Sequence, residues 1–555
     1  MKIFYRLVCV ALFSVAAQSA EMPPRTAVAS AHPLATAAGF EIIAQGGNAF
    51  DAAVAVSAAL AVVEPVGSGL GGGGFWLLHQ AKDNRQIMID GRERAPLAAT
   101  RDMYLDVEGN PIPGLSIDGA LSAAIPGLPA GLIHIAKNYG RLPLSKSLAP
   151  AIRYAKEGFE VGMHYRLLAG FRLKALLASE AAAETFLASG KVVLPGFKLV
   201  QKDLAETLKA IAEQGRAGFY AGDVAAKLLK GVNESGGIWT QQDLDEYKVI
   251  ERQPIQGEYR GIRVTSAAPP SSGGIVLMET LNILSGYDLA RLNEIDQKHL
   301  IIEAMRRSYH DRARYLGDAD FVEMPIEQLT NNHYAAGLRE SIRLDWATKS
   351  SALAATAATT PGGEDTTHFS ILDKEGNRVA ATLSINYPFG SGFMPPGTGV
   401  VLNNEMDDFS KKVGVPNGYG LIGGEANAIE PGKRMLSSMS PTFLEDERRV
   451  AILGTPGGSR IISMVLLAIL DFEKGNGAES WVSLPRYHHQ YEPDEVQYEK
   501  GGLDDKTRSE LAKRGHQFKE INRRYGNMQA ILWHKKEAKI EAASDPRGEG
   551  YAKVD

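Results

Sequence analysis

Cysteine is almost absent from this chain: Cys9 is the only one among 555 residues. It lies in a segment expected to be removed, so the mature protein has no disulfide, no cysteine nucleophile and no thiolate metal site. An exported protein without disulfides is held by its core, and at this length core area is not scarce. A strong excess of one charge is missing too. The 60 Lys and Arg stand against 65 Asp and Glu, a net −5 that argues against a nucleic-acid partner. The N-terminal apolar run, 7–17, is too short to span a bilayer. It follows Lys2 and Arg6 and leads into small residues, the pattern of a secretory leader, taken as 1–20 with the cut within three residues. Val8 before Cys9 is not the small residue a lipoprotein anchor needs. What remains has ordinary globular composition, 44% hydrophobic and 23% charged, and a length that suggests several domains.

Two helices are expected early, over 36–45 and 51–63. The second is Ala, Val and Leu nearly all round and so should be buried. Gly69-Leu70-Gly71-Gly72-Gly73-Gly74 contains G-x-G-x-x-G, but a helix precedes it and a strand-like run follows. That is the reverse of a dinucleotide site, so close approach of packed backbones is the better reading. Runs 75–79 and 86–90 form a hairpin that delivers Gly91-Arg92-Glu93 to a strand end. The pattern over 145–230 is mostly helical, 257–264 reads as one strand, and Pro269-Pro270-Ser271-Ser272-Gly273-Gly274 as a loop feeding a helix. Segment 347–365 is rich in Ala, Thr, Ser and Gly, which suits a flexible linker or a segment that moves away after cutting.

From Thr366 the period becomes two. Thr366, His368 and Ser370 face one side, Thr367, Phe369 and Ile371 the other, and 378–386 returns as the partner strand. If the Asp365–Thr366 bond is cut, Thr366 carries a free α-amine beside its hydroxyl. Such an amine, with a reference pKa of about 7.7–8.0, can take the hydroxyl proton near neutrality. The hydroxyl can also attack its own preceding carbonyl, so maturation needs no cofactor. His488 and His489, adjacent on a strand, point to opposite faces and read as structural; no metal site is expected.

Thr366-Thr367-His368-Phe369-Ser370 resembles the start of the small subunit of the γ-glutamyltransferases, the glutathione hydrolases. In the same order follow Asn403-Asn404-Glu405-Met406-Asp407-Asp408-Phe409, Leu436-Ser437-Ser438-Met439-Ser440-Pro441, Pro456-Gly457-Gly458-Ser459-Arg460, Pro485-Arg486-Tyr487-His488-His489-Gln490 and Ser544-Asp545-Pro546-Arg547. Gly46-Gly47-Asn48-Ala49-Phe50-Asp51-Ala52-Ala53 and Arg92-Glu93-Arg94-Ala95-Pro96 look like the family's large-subunit motifs. The resemblance implies a four-layer αββα sandwich of the N-terminal nucleophile hydrolase type, in the α/β (α+β) class. It also implies a proenzyme that splits into an associated heterodimer of large (21–365) and small (366–555) chains, with no cofactor.

By the same resemblance Thr366 attacks a γ-glutamyl amide such as glutathione, and water, an amino acid or a peptide takes the acyl group. Arg92, Ser437 and Ser438 are expected on the α-carboxylate and Asp408, Glu405 and Asn386 on the α-ammonium. The amides of Gly457 and Gly458 are expected on the oxyanion, with Thr367 and Ser384 (more often threonine in the family) assisting Thr366. Segment 411–434 resembles the lid of some members, with Tyr419 over the substrate. An amide acylase of cephalosporin or glutaryl type on the same scaffold, a poly-γ-glutamate depolymerase, and a non-catalytic secreted binding protein for γ-glutamyl compounds are the alternatives. The localisation implied is periplasmic or secreted, without a stable membrane anchor.

Overall fold

A computed structural model describes residues 22–353 and 366–555. The expected leader up to residue 20, and Asp365 at the expected junction, lie outside the described residues.

Asn48 starts the most buried helix. Its side chain accepts from the N–H groups of Phe50 and Asp51, and the Asp51 carboxylate accepts from the Asn48 N–H. This reciprocal cap begins the helix at Ala49–Val63, two residues before the expected start, and every residue in it is buried. The preceding helix, Pro33–Ala44, also starts early, because Pro33 sits in its first turn and His32 Nδ1 accepts from Leu34 N–H.

Two antiparallel sheets form the centre. The seven strands of the first run Tyr551–Val554, Ala27–Ser30, Thr367–Leu372, Arg378–Ser384, Gly73–Gln80, Arg85–Gly91 and Ile250–Arg252 across the sheet. The six of the second run Lys539–Ser544, Gln529–His534, Arg449–Gly454, Thr442–Glu445, Ile262–Ser266 and Ile255–Tyr259. Side chains on one face of the first sheet, including Val28, Trp76, Leu78, Phe369 and Ile371, pack with the helix Ala49–Val63 and its neighbours. Those on the other face, including Ala29, Phe75 and Leu77, share a core with Val264, Leu444 and Ile452 of the second sheet and with the helices Gly273–Ser285, Glu294–Tyr315 and Ile461–Glu473. The layers are helix, sheet, sheet, helix, the expected αββα sandwich.

The glycine run 71–74 serves close packing. A Cβ at Gly71 would lie 2.0 Å from the Val401 carbonyl oxygen, and one at Gly72 2.1 Å from that of Ser384. The expectation of a single strand over 257–264 is corrected. Arg260 and Gly261 both have positive φ, 50° and 78°, a two-residue turn that folds the segment into the hairpin Ile255–Tyr259 and Ile262–Ser266. Among the described residues no helix is long and apolar enough to cross a membrane.

Candidate active site

Thr366 stands immediately before the strand Thr367–Leu372, whose partner pairs Leu383 with Thr367 and ends at Ser384. Gly73, on the next strand, pairs with Ser384, and the hairpin to Arg85–Gly91 ends beside Arg92. The alternation is as expected. Phe369 and Ile371 join the helix-side core, while His368 faces the second sheet, with Nδ1 at 2.8 Å from Thr382 Oγ1 and its ring against Gly454. Burial lowers His368 to about 3, so it is neutral.

A narrow cleft opens beside Thr366. Arg92, Ser384, Asn386, Glu405, Asp408, Tyr419, Ser437, Ser438 and Gly458 line it, together with Arg312, which sequence reasoning missed. Thr367 and Gly457 are not on its wall. Thr367 belongs to the opposite face of its strand, where its hydroxyl lies beside the Glu64 carboxyl; burial raises that carboxyl to about 8 while Thr367 opposes the shift. Gly457 and Gly458 follow the strand Arg449–Gly454 with φ of 140° and 56°, conformations that favour glycine. They lead into the helix Ile461–Glu473, whose N-terminal end favours negative charge.

Charge in the cleft is concentrated around Arg92. Arg92 Nη1 lies 2.7 Å from Glu405 Oε2 and 3.4 Å from Glu93 Oε2, and Nη2 lies 2.7 Å from Asp408 Oδ2. The fork expected to meet a substrate carboxylate therefore meets the residues expected to meet its ammonium. Glu93, a third acid in the group, was not singled out, although it stands in the motif Arg92-Glu93-Arg94-Ala95-Pro96. Burial lowers Arg92, but these carboxylates overcome that and leave it raised. Burial pushes Glu93 and Glu405 up to about 7, with Arg92 pulling each back, and Asp408 up to about 8, with Glu405 adding to the rise and Arg92 opposing it. One guanidinium among three buried carboxylates leaves negative charge in excess once those acids ionise, an environment that then accepts an ammonium.

Ser384 Oγ accepts from Asn386 N–H at 2.8 Å, and Asn386 sits at φ 73° with its Nδ2 donating to Asn404 O at 2.9 Å. Tyr419 donates its hydroxyl to Asn386 O at 2.9 Å and packs its ring against Gly458. Asp407 holds this loop from below. Its Oδ2 accepts from Gly418 N–H at 2.8 Å, while Oδ1 accepts from Ser116 Oγ and Lys411 Nζ. His488 and His489 turn to different partners, Ser463 and Gln490 for the first, Asp494 and Tyr491 N–H for the second. Among the described residues no group of three or more His, Cys, Asp or Glu could hold a metal ion.

A threonine at a strand start that shares a cleft with Gly458, just before a helix, has the makings of an acyl-transfer site, and the buried acids in the same cleft can select an amine-bearing acyl group. The comparisons with known proteins agree with that chemistry. The family model described as Gamma-glutamyltranspeptidase matches residues 35–554. The glutathione hydrolase proenzyme of Pseudomonas sp. (strain A14) is 44% identical over 92% of this chain and 89% of its own length. That of Escherichia coli (strain K12) is 41% identical over 94% of this chain and 90% of its own. A crystal structure of cephalosporin acylase from Bacillus halodurans superposes with a TM-score of 0.83 at 27% identity, covering 99% of each chain. The chain therefore belongs to the gamma-glutamyltranspeptidase family.

Proposed function

We infer that the protein is a self-processing γ-glutamyltransferase and glutathione hydrolase. The observation that carries this reading is the cleft itself: Thr366, Gly458, Arg92, Glu405 and Asp408 all line it, so one small acyl donor can meet the nucleophile and the charged group together.

In maturation, Thr366 Oγ attacks the Asp365 carbonyl carbon, the peptide C–N bond breaks, and water opens the resulting ester. The products are a large chain, 21–365, and a small chain, 366–555. In turnover, the free α-amine of Thr366 accepts the hydroxyl proton as Oγ bonds to the γ-carbonyl carbon of the donor. The Gly457 and Gly458 N–H groups take the oxyanion, with the helix N-terminus behind them. Collapse expels the donor's amine, cysteinylglycine in the case of glutathione, which takes the proton back. Water or an acceptor amine then attacks the acyl-enzyme, giving two half-reactions and ping-pong kinetics. Asp408, Glu405 and Asn386 receive the α-ammonium, and Arg92, Ser437 and Ser438 the α-carboxylate. Thr367 and Ser384 hold the strand start in register with its partner, and Tyr419 closes over the acyl group. The leader-like N-terminus supports export, to the periplasm or outside the cell.

The test compares a γ-glutamyl anilide with a glutaryl anilide, which lacks the α-ammonium. The account expects the glutamyl compound to be turned over far faster. Preference for the glutaryl compound would reassign the protein as an amide acylase, the activity named for its Bacillus halodurans structural neighbour.

A further inference from the structure

The loop Pro269-Pro270-Ser271-Ser272-Gly273-Gly274 and the helix Glu294–Tyr315 have no part in the reaction as described, yet they meet at the cleft through Arg312. This residue, in the last turn of the helix, is 4% exposed and lines the cleft. Its Nε donates to Ser272 Oγ at 2.9 Å and its Nη2 to Ser438 Oγ at 3.2 Å. Among the described residues no carboxylate lies within ion-pair distance of it, whereas Arg92 has three. Burial lowers its guanidinium, with Tyr309 and Asp408 opposing the shift.

The directions of the hydroxyls follow from this. Ser272 Oγ accepts from Arg312 and so donates to Ser437 O, at 2.7 Å, and Ser272 N–H donates to the same carbonyl at 2.9 Å. Ser437 Oγ accepts from Met439 N–H at 3.1 Å, and Ser438 Oγ accepts from Arg312. Each of these two cleft serines thus engages a lone pair inside the protein and keeps its O–H to donate outward. Arg92 has little left to offer. Of its five N–H groups, one meets Met435 O, two meet Glu405 and Glu93, and one meets Asp408, leaving one.

We propose that Arg312 is a positioning residue for the substrate's α-carboxylate: it presents the Ser438 hydroxyl as a donor, seats Ser437 through Ser272, and supplies the cleft's unneutralised positive charge. The proposal rests on the reading of this cleft as a γ-glutamyl site. Arg92, which also holds the acids that take the ammonium, keeps one N–H for the carboxylate, and Arg312 organises the serines that meet the same group.

The test measures kcat/KM for γ-glutamyl and 4-aminobutyryl p-nitroanilides, the second lacking only the α-carboxylate. The proteins are wild type, Arg312→Met, Arg312→Lys, Ser438→Ala and the double variant Arg312→Met/Ser438→Ala. Arg312→Met is expected to lower the preference for the γ-glutamyl donor roughly tenfold or more, the scale of a charge-assisted hydrogen bond. The loss should fall mainly in KM and leave the 4-aminobutyryl rate within about twofold. Arg312→Lys should be intermediate, and Arg312→Met should cost less preference in the Ser438→Ala background than alone. An equal loss on both donors, or an unchanged preference, overturns the proposal. So does failure of both Arg312 variants to mature, which assigns the residue to folding alone. A wild type without preference for the γ-glutamyl donor overturns the reading of the cleft; a preference that survives in the variants overturns only the role of Arg312.

Discussion

Asp408 and Glu405 must be ionised to receive an ammonium, yet burial holds them near 8 and near 7. The value of kcat/KM for a γ-glutamyl donor should therefore rise as pH climbs through about 7 to 8, as a coupled titration of the acid group. It should fall again where the donor's own amine deprotonates. Asp408→Asn should flatten the rising limb and lower kcat/KM about 100-fold, the scale of removing one partner of a buried charge contact. The same shift has a stability sign. A carboxyl raised in the folded state stabilises fully below its unfolded value, about 4, and that contribution is lost as pH rises to about 8. In an uncleaved Thr366→Ala background, Asp408→Asn should thus gain stability over its parent between pH of about 4 and 8 and level off above, by about 1 kcal/mol or more. Thermal midpoints at several pH values check this, and a difference that shrinks as pH rises sinks it. At this scale, residues sitting in fixed motifs, such as Thr366, Arg92 and Ser437, were legible in the sequence. Arg312 and Glu93 were not singled out, because the importance of Arg312 comes from burial and from Ser272 and Ser438, which folding brings to it, and that of Glu93 from its burial beside Arg92.

Among the elements, the loop carrying Tyr419 is closely seated. Asn417 Oδ1 accepts from Tyr419 N–H at 2.9 Å and from Leu421 N–H at 3.0 Å, and its Nδ2 donates to Asp408 Oδ1 at 3.1 Å. A Cβ on Gly418 would lie 1.6 Å from the Tyr387 hydroxyl oxygen. Gly418→Ala should unseat the loop, raise donor KM about tenfold and leave maturation intact, since the proposed lid would serve substrate rather than the strand start. Steady-state kinetics with a denaturing gel checks both, and an unchanged KM contradicts the lid reading. The hairpins around Trp76 and Thr366 were legible from alternation and turn residues. The break at Arg260-Gly261 was not, because a non-glycine residue at φ 50° gives no warning and the flanking residues suit one strand as well as two.

Over the whole molecule, the two proposed chains interleave. Ala27–Ser30 lies between Tyr551–Val554 and Thr367–Leu372, Gly73–Gln80 pairs with Arg378–Ser384, and Ile262–Ser266 pairs with Thr442–Glu445. Backbone ladders and shared cores join them in addition to exposed ion pairs such as Arg141–Glu375 and Arg263–Glu445, so the pair should elute as one peak on gel filtration even in about 1 M salt, where surface ion pairs are screened. Two separate peaks would count against this account of association. The layer order was implied by family resemblance rather than by periodicity, for strand neighbours such as Ala29 and Ser370 lie hundreds of residues apart in the chain. The central claim is that Thr366 becomes a chain terminus and then acts as the nucleophile. N-terminal sequencing of the smaller chain of the active enzyme tests it most directly. The account requires a small chain beginning Thr366-Thr367-His368, with Thr366→Ala remaining one inactive chain. An intact wild-type chain with full activity, or a small chain starting elsewhere, would contradict it.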